Sequence, residues 1–400
     1  MTERAFLGAL RRFPDVEAPN LVAVDAADRL LLDTAEPLLA ETPAGGVAVI
    51  GDAYGALTLG AAALGAQRVR VHQDPLLGER ALAANAARLG LEGAFTSFGL
   101  VPELVSSDYG AVAASLVLLR LPKSLDQLDE WAEFIAAHAA PGATVLAAGM
   151  VKHMTPAQHE VLGRHFADVR AGLARQKARV VTAASIRASR ESTGGGGAGR
   201  LGGDAAEWTP SWPRTAFVDP PGITVCAHGG VFAGASLDIG TRFLLDHLAD
   251  AKPGARTAID LGCGTGIIAA ALARVRPGLR VHASDQSAAA VASARETMRL
   301  NGLDDRVTVV RDDALGTLPD ASAELIVLNP PFHSGTTVSA DVGIRLITDA
   351  ARVLAPGGEL RVVFNSHLRY QPALRRLVGE TRQVARDRKF TVTSSVKGTR

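Results

Sequence analysis

The chain has 400 residues, 47% apolar and 21% charged, with a net charge of +1. Those values fit two globular domains of roughly 150–200 residues each and exclude a disordered or fibrous chain. Its two cysteines, Cys226 and Cys263, exclude a disulfide framework and suit a reducing cytoplasm, and no apolar run approaches the roughly 20 residues that span a bilayer.

The opening stretch, "MTERAFLGALRRF", lacks the basic–apolar–small order of a secretory signal, so a cytoplasmic protein is expected. "VAVIGDAYGALTLGAAALGAQRVRVHQD" (Val47–Asp74) then reads as strand, Gly-rich turn, Ala-rich helix and second strand. "RLGL" (Arg88–Leu91), "ASLVLLRLPKS" (Ala114–Ser124) and "PGATVLAAG" (Pro141–Gly149) continue the alternation of β-branched runs with Ala/Leu/Arg-rich helical stretches. That alternation predicts a mostly parallel sheet with helices on both faces. Arg164 to Arg200 carries eight Lys/Arg against Asp168 and Glu191. "ASRESTGGGGAGRLGGDAAEWTPSWPR" (Ala188–Arg214) is rich in Gly, Ser and Pro. It reads as a flexible linker or long loop, or as an ordered connection with a β-hairpin nearby. The expected divisions are residues 1–190, a linker at 191–214, and residues 215–400.

The second half repeats the first. Gly51 falls on Gly262, Gly55 on Gly266 and Asp74 on Asp285, each 211 positions apart. "RLNGL" (Arg299–Leu303), "ELIVLNPPFHS" (Glu324–Ser334) and "PGGELRVVFN" (Pro356–Asn365) lie opposite the three later segments of the first half. Self-similarity of this length means duplication of a whole domain. Two tandem Rossmann-like domains are expected.

The second copy carries the chemistry. "IDLGCGTG" holds Asp260 inside a strand and turns through Gly262, Cys263, Gly264 and Gly266 into a helix starting near Ile267. Glycines there let the backbone pass close to a ligand on the strand tip. The G-x-G-x-G spacing, with an acid inside the strand, is similar to the first motif of class I S-adenosylmethionine (SAM) methyltransferases. An NAD dehydrogenase, the alternative, expects G-x-G-x-x-G and a helix N-terminus aimed at a pyrophosphate. "LRVHASDQS" ends a strand in Asp285 and Gln286. The Asp285 carboxylate can accept from both ribose hydroxyls, or it can cap the helix beginning around Ser287. "VTVVRDDAL" brings Asp312, Asp313 and Ala314 to a third strand end, where Asp313 rather than Asp312 would accept from an adenine amino group. Capping is the other reading.

"IVLNPPFHSG" (Ile326–Gly335) sets two prolines behind an apolar strand, which must end there. The Asn329 oxygen and the Pro330 carbonyl could together accept from an exocyclic NH2, whose lone pair is otherwise drawn into its ring. Pro330 and Pro331 would preorganise the two acceptors, and Phe332 would stack on a flipped-out base.

"GVFAGASLDIGTRFLLDHL", "DLGCGTGIIAAAL", "VHASDQSAAAV", "DDAL", "LNPPFHSG" and "FNSHLRYQPALRRL" together resemble the ribosomal RNA guanine-N2-methyltransferases. That family comprises small subunit methyltransferase C and large subunit methyltransferase G types. The resemblance runs over nearly the whole chain, and "GMVKHMTPAQ" and "LARQKARVV" lie nearer the large-subunit type. It implies SAM as cofactor, rRNA as substrate, a first domain that no longer binds SAM and a catalytic second domain. It also places Asp238 and Gly240 to Arg242, hence Thr241, along the methionine end of SAM. The residues agree with a dead first copy: Ala53 stands opposite Gly264, Tyr54 would crowd the turn, and Leu119 and Arg120 stand opposite Asn329 and Pro330. Asp74 alone remains as a route to residual binding. Plain helix capping is the other reading of Asp238.

Arg361 to Arg400 carries ten Lys/Arg against Glu380 and Asp387. With the basic stretch of the first half, it is the expected phosphate surface, unless these are solvated helix faces. The 4% aromatic content argues against a broad base-stacking platform. Adenine N6, a protein glutamine, or non-catalytic work in ribosome assembly are the alternatives. A monomer without metal or membrane partner is expected.

Overall fold

The computed structural model describes residues 5–101, 104, 112–187, 209–331 and 337–398. The chain forms two compact units, Met1–Trp212 and Pro213–Arg400.

In the first unit the strands are β1 (Val47–Ile50), β2 (Val69–His72), β3 (Phe95–Phe98), β4 (Leu116–Arg120), β5 (Thr144–Met150), β6 (Phe166–Ala171) and β7 (Ala178–Ile186). The second unit opens with a hairpin of β8 (Arg214–Val218) and β9 (Ile223–Ala227). Its sheet follows as β10 (Thr257–Leu261), β11 (Arg280–Asp285), β12 (Val307–Arg311), β13 (Ala323–Leu328), β14 (Leu354–Asn365), β15 (Gly379–Arg386) and β16 (Phe390–Lys397). The sheet orders are β3-β2-β1-β4-β5-β7-β6 and β12-β11-β10-β13-β14-β16-β15. In each, the first five strands are parallel and the last two antiparallel. The topologies are identical, as a duplication requires.

Continuous apolar runs form the central strands because both sheet faces are covered. Along β13, Leu325 and Val327 face one helical layer, with Ile268 and Val291, whereas Ile326 and Leu328 face the other, with Ile347 and Leu374. The first unit repeats this, with Val47 and Val49 on one side and Ala48 and Ile50 on the other.

Residues 191–208 of the expected linker lie outside the described residues. Its last residues are built into structure instead. Trp212 is 3% exposed within the first core, Ser211 donates to Glu133 at 2.9 Å through both N–H and Oγ, and Arg214 opens β8. The gain from burying an indole outweighs the flexibility that the composition suggested. Both cysteines are buried thiols outside any disulfide. Among the described residues no helix is long and apolar enough to cross a membrane.

Candidate active site

The turn after β10 opens the helix Ile267–Val275, and Gly262, Gly264 and Gly266 sit at φ +72°, +53° and +77°. A Cβ on Gly262 or Gly264 would meet nothing within 4 Å, so these two face open space; on Gly266 it would lie 2.8 Å from Met298 Cε. The first two glycines therefore leave a cradle, and the third lets the helix Ala288–Leu300 approach. The N–H groups of Gly262 and Cys263 donate to the Ser284 carbonyl at 2.8 and 3.0 Å, fastening the turn to β11. Burial pushes the Cys263 thiol well up, aided by the charges of Asp285 and Asp260.

Asp260, expected against the cofactor, is 0% exposed. Its Oδ2 accepts the Ala269 N–H at 3.0 Å, the third amide of the helix, while Oδ1 is buried with no hydrogen-bond partner. Burial pushes this carboxyl up to about 7. It acts on the turn by holding the helix, a correction to the contact role. Asp285 stays at the tip of β11: Oδ2 accepts the Gly264 N–H and Oδ1 the Ser287 N–H, both at 3.0 Å. The cap of the next helix is Ser287, whose Oγ accepts from Ala290 N at 3.1 Å, so Asp285 steadies the turn and is not the cap. Next to it, the Gln286 side-chain oxygen is buried without a partner.

Asp312 and Asp313 separate cleanly. Asp312 is 1% exposed; it accepts the Asp313 and Thr317 N–H groups and the Thr317 hydroxyl, and so builds its own turn. Asp313 instead meets Arg345 at 2.6 Å, an ion pair that 32 positions of separation hide in the sequence. Ala314, at φ +57°, takes the Ser284 hydroxyl on its carbonyl at 2.7 Å.

At the tip of β13, Asn329 Nδ2 donates to Thr241 Oγ1 at 2.9 Å, while Asn329 Oδ1 is buried and has no partner. Pro330 is buried and Pro331 exposed; Phe332 lies outside the described residues. Thr241 belongs to the helix Ile239–Leu245, capped by Asp238, whose Oδ2 accepts the Gly240 and Thr241 N–H groups at 2.9 and 3.2 Å. The capping reading of Asp238 is thus observed, and Thr241 has a partner that the sequence did not suggest.

The first unit holds different chemistry at the same places. Gly51 N–H donates to His72 O as Gly262 N–H does to Ser284 O. Gln73 therefore stands where Asp285 stands, and Asp74 one position beyond. Likewise β1 pairs Ile50 with Leu119 and β10 pairs Leu261 with Leu328, which puts Arg120 in the place of Asn329. Both correct the alignment by sequence. The stretch from Gly51 to His72 is one residue shorter than the equivalent stretch from Gly262 to Ser284, so the two aspartates coincide by number and not by position. Gln73 Nε2 donates to the Asp52 and Ala53 carbonyls at 2.7 and 3.4 Å. Arg120 reaches Asp25 at 2.9 and 3.0 Å and Asp28 at 3.3 Å. Tyr54 does not simply crowd the turn: its hydroxyl donates to Asp15 at 2.6 Å and Arg12 lies over its ring. "DAADRLLLD" (Asp25–Asp33) and "DIGTRFLLD" (Asp238–Asp246) are the signal that would have aligned Asp28 with Thr241.

The basic stretches are less uniform than their counts. Arg361 is fully buried between Glu359 and Asp250, and Arg164, Arg170 and Arg175 face Asp129, Asp168 and Asp33. Arg369, Arg375, Arg376, Arg386 and Arg388 are exposed.

Residues 222–394 match the family model described as "Methyltransferase small domain", and residues 2–187 match "RLMG N-terminal domain". A relative in Streptomyces avermitilis named "Ribosomal RNA large subunit methyltransferase G" is 37% identical over 392 residues, 97% of each chain. One of the same name in Pseudomonas putida is 35% identical over 390 residues, again 97% of each. Among solved structures, the T. thermophilus 16S rRNA N2 methyltransferase RsmC, in complex with AdoMet and guanosine, superposes with a TM-score of 0.71. It does so at 20% identity, over 99% of this chain and 100% of that one.

Proposed function

The chain belongs to the family of ribosomal RNA large subunit methyltransferase G, and on that premise we propose that its second unit methylates the exocyclic 2-amino group of a guanine in large-subunit rRNA, with SAM as donor. The observation that carries this reading is the Asn329 carboxamide. Its N–H2 end is engaged by Thr241, and its buried oxygen remains an acceptor at the carboxyl end of a central strand, the place where open α/β sheets bind ligands.

The residues fit SAM. The open faces of Gly262 and Gly264 leave the backbone clear, the Asp285 carboxylate at the next strand tip suits ribose hydroxyls, and Asp313 with Gln286 borders the adenine end. SAM supplies an electrophilic methyl group on a sulfonium. The protein's part is to orient the acceptor: Asn329 Oδ1 and the Pro330 carbonyl accept the two amino hydrogens and hold the nitrogen lone pair out of conjugation with its ring. The methylated nitrogen is strongly acidic and releases its proton to water, so no prior general base is needed.

The first unit is a degenerate copy on this reading, since Val49, Gln73 and Arg120 replace Asp260, Asp285 and Asn329. Exposed cations at 369–388 supply phosphate contacts, while the pocket selects the base. The rRNA is taken within or outside the assembled subunit by a cytoplasmic monomer. Product identity tests the proposal: labelled methyl should appear as N2-methylguanosine after digestion to nucleosides, and label in N6-methyladenosine or in protein would overturn it.

A further inference from the structure

We propose that Thr241 is a positioning residue for this reaction, its hydroxyl fixing the Asn329 carboxamide so that Oδ1, and not Nδ2, meets the substrate amino group. The inference rests on the amino-methylation reading above and deepens it. The two ends of a carboxamide are nearly equal in shape, so packing alone barely distinguishes them. Turned by half a rotation, Asn329 would set its own NH2 against the NH2 of the substrate, donor against donor, and no lone pair would be oriented.

Thr241 supplies the acceptor that the productive orientation requires. It is 6% exposed, and its Oγ1 accepts from Asn329 Nδ2 at 2.9 Å. Its backbone is held by the Asp238 cap, and a Cβ on the preceding Gly240 would come 3.1 Å from the Phe390 ring, so this turn is pressed against β16. A hydroxyl can donate as well as accept, so without substrate it tolerates both orientations. With an amino group in place, only the observed one satisfies the buried Nδ2 and the substrate together. The first unit keeps the same two positions in contact with other chemistry, Asp28 and Arg120 at 3.3 Å. The contact is thus a feature of the fold, and the second unit uses it with a neutral pair.

The test compares wild type, Thr241→Val, which keeps the shape and loses the hydroxyl, and Thr241→Ser, which keeps the hydroxyl. Valine should lower kcat about 10-fold or more while the Kd for SAM stays within about threefold, and serine should keep both within about threefold. If valine proves unstable on thermal unfolding, Thr241→Ala is judged by the same ratio. Unchanged kcat in the variant without hydroxyl, a loss confined to SAM affinity, or serine as poor as valine would each overturn the proposal. Failure of the function itself is separate: wild type would then label another amino acceptor, and the ratio would be read on that product.

Discussion

The carboxylate of Asp285 holds the N–H of Gly264 at 3.0 Å, so the acid on the second strand tip is fastened to the glycine turn after the first. One side chain therefore supports the shape of the cradle and offers the cofactor a charged acceptor. Asp285→Ala should raise the Kd for SAM roughly tenfold or more, from the loss of about 1.5–3 kcal/mol of charged hydrogen bonding. Isothermal titration decides it, and unchanged affinity would leave Asp285 as a strut for the turn alone.

The division within the neighbouring pair gives a second prediction. Asp312→Ala removes the acceptor of three hydrogen bonds in a buried turn, so it should lower stability by about 2 kcal/mol or more. Asp313→Ala should leave stability nearly unchanged and weaken SAM binding a few-fold. Unfolding and titration of both variants check this, and the opposite pattern would exchange their roles.

Asp260 makes the second unit sensitive to pH. Its carboxyl titrates at about 7 in the fold but near 4 when unfolded, so between those values the fold binds the extra proton. Stability is highest below the unfolded value and falls as pH rises toward 7. Asp260→Asn removes that slope. Relative to wild type, the variant should gain roughly 2.5 kcal/mol between pH 5 and 8. Parallel stability profiles for the two proteins over this range, without SAM, would refute the assignment.

In the first unit, burial pushes Asp28 up to about 7 even beside Arg120. Arg120→Ala strands two carboxyl groups and should cost this unit about 3 kcal/mol. Trp131 and Trp212 are buried in this unit and no tryptophan follows Trp212 in the sequence, so the change in their fluorescence on denaturation follows this unit. SAM binding should remain at one per chain, as in wild type. Two sites per chain would contradict the degenerate reading.

Fold class, duplication and the residues around the turn were legible because glycine spacing, strand-ending acids and the Asn-Pro-Pro stop are local patterns with local causes. Equivalence between the copies was not. A one-residue difference between the glycine turn and the second strand let Asp74 pose as the partner of Asp285, and the hydrogen bond from Gly51 to His72 with the strand register reveals that Gln73 stands there. The links from Thr241 to Asn329 and from Arg345 to Asp313 also escaped, since tertiary folding alone joins residues so far apart. Arg361 counted as a surface cation until its burial between Glu359 and Asp250 showed a structural ion pair.

The most direct test pairs wild type with Asn329→Ala, each given radiolabelled SAM and deproteinised 23S rRNA, 16S rRNA or assembled subunits, with the products digested to nucleosides. Wild type should place its label in N2-methylguanosine of large-subunit RNA. Asn329→Ala should lose about 10²–10³-fold in turnover while binding SAM within a few-fold of wild type. Undiminished labelling by Asn329→Ala, or wild-type label in another nucleoside or in small-subunit RNA alone, would contradict the account.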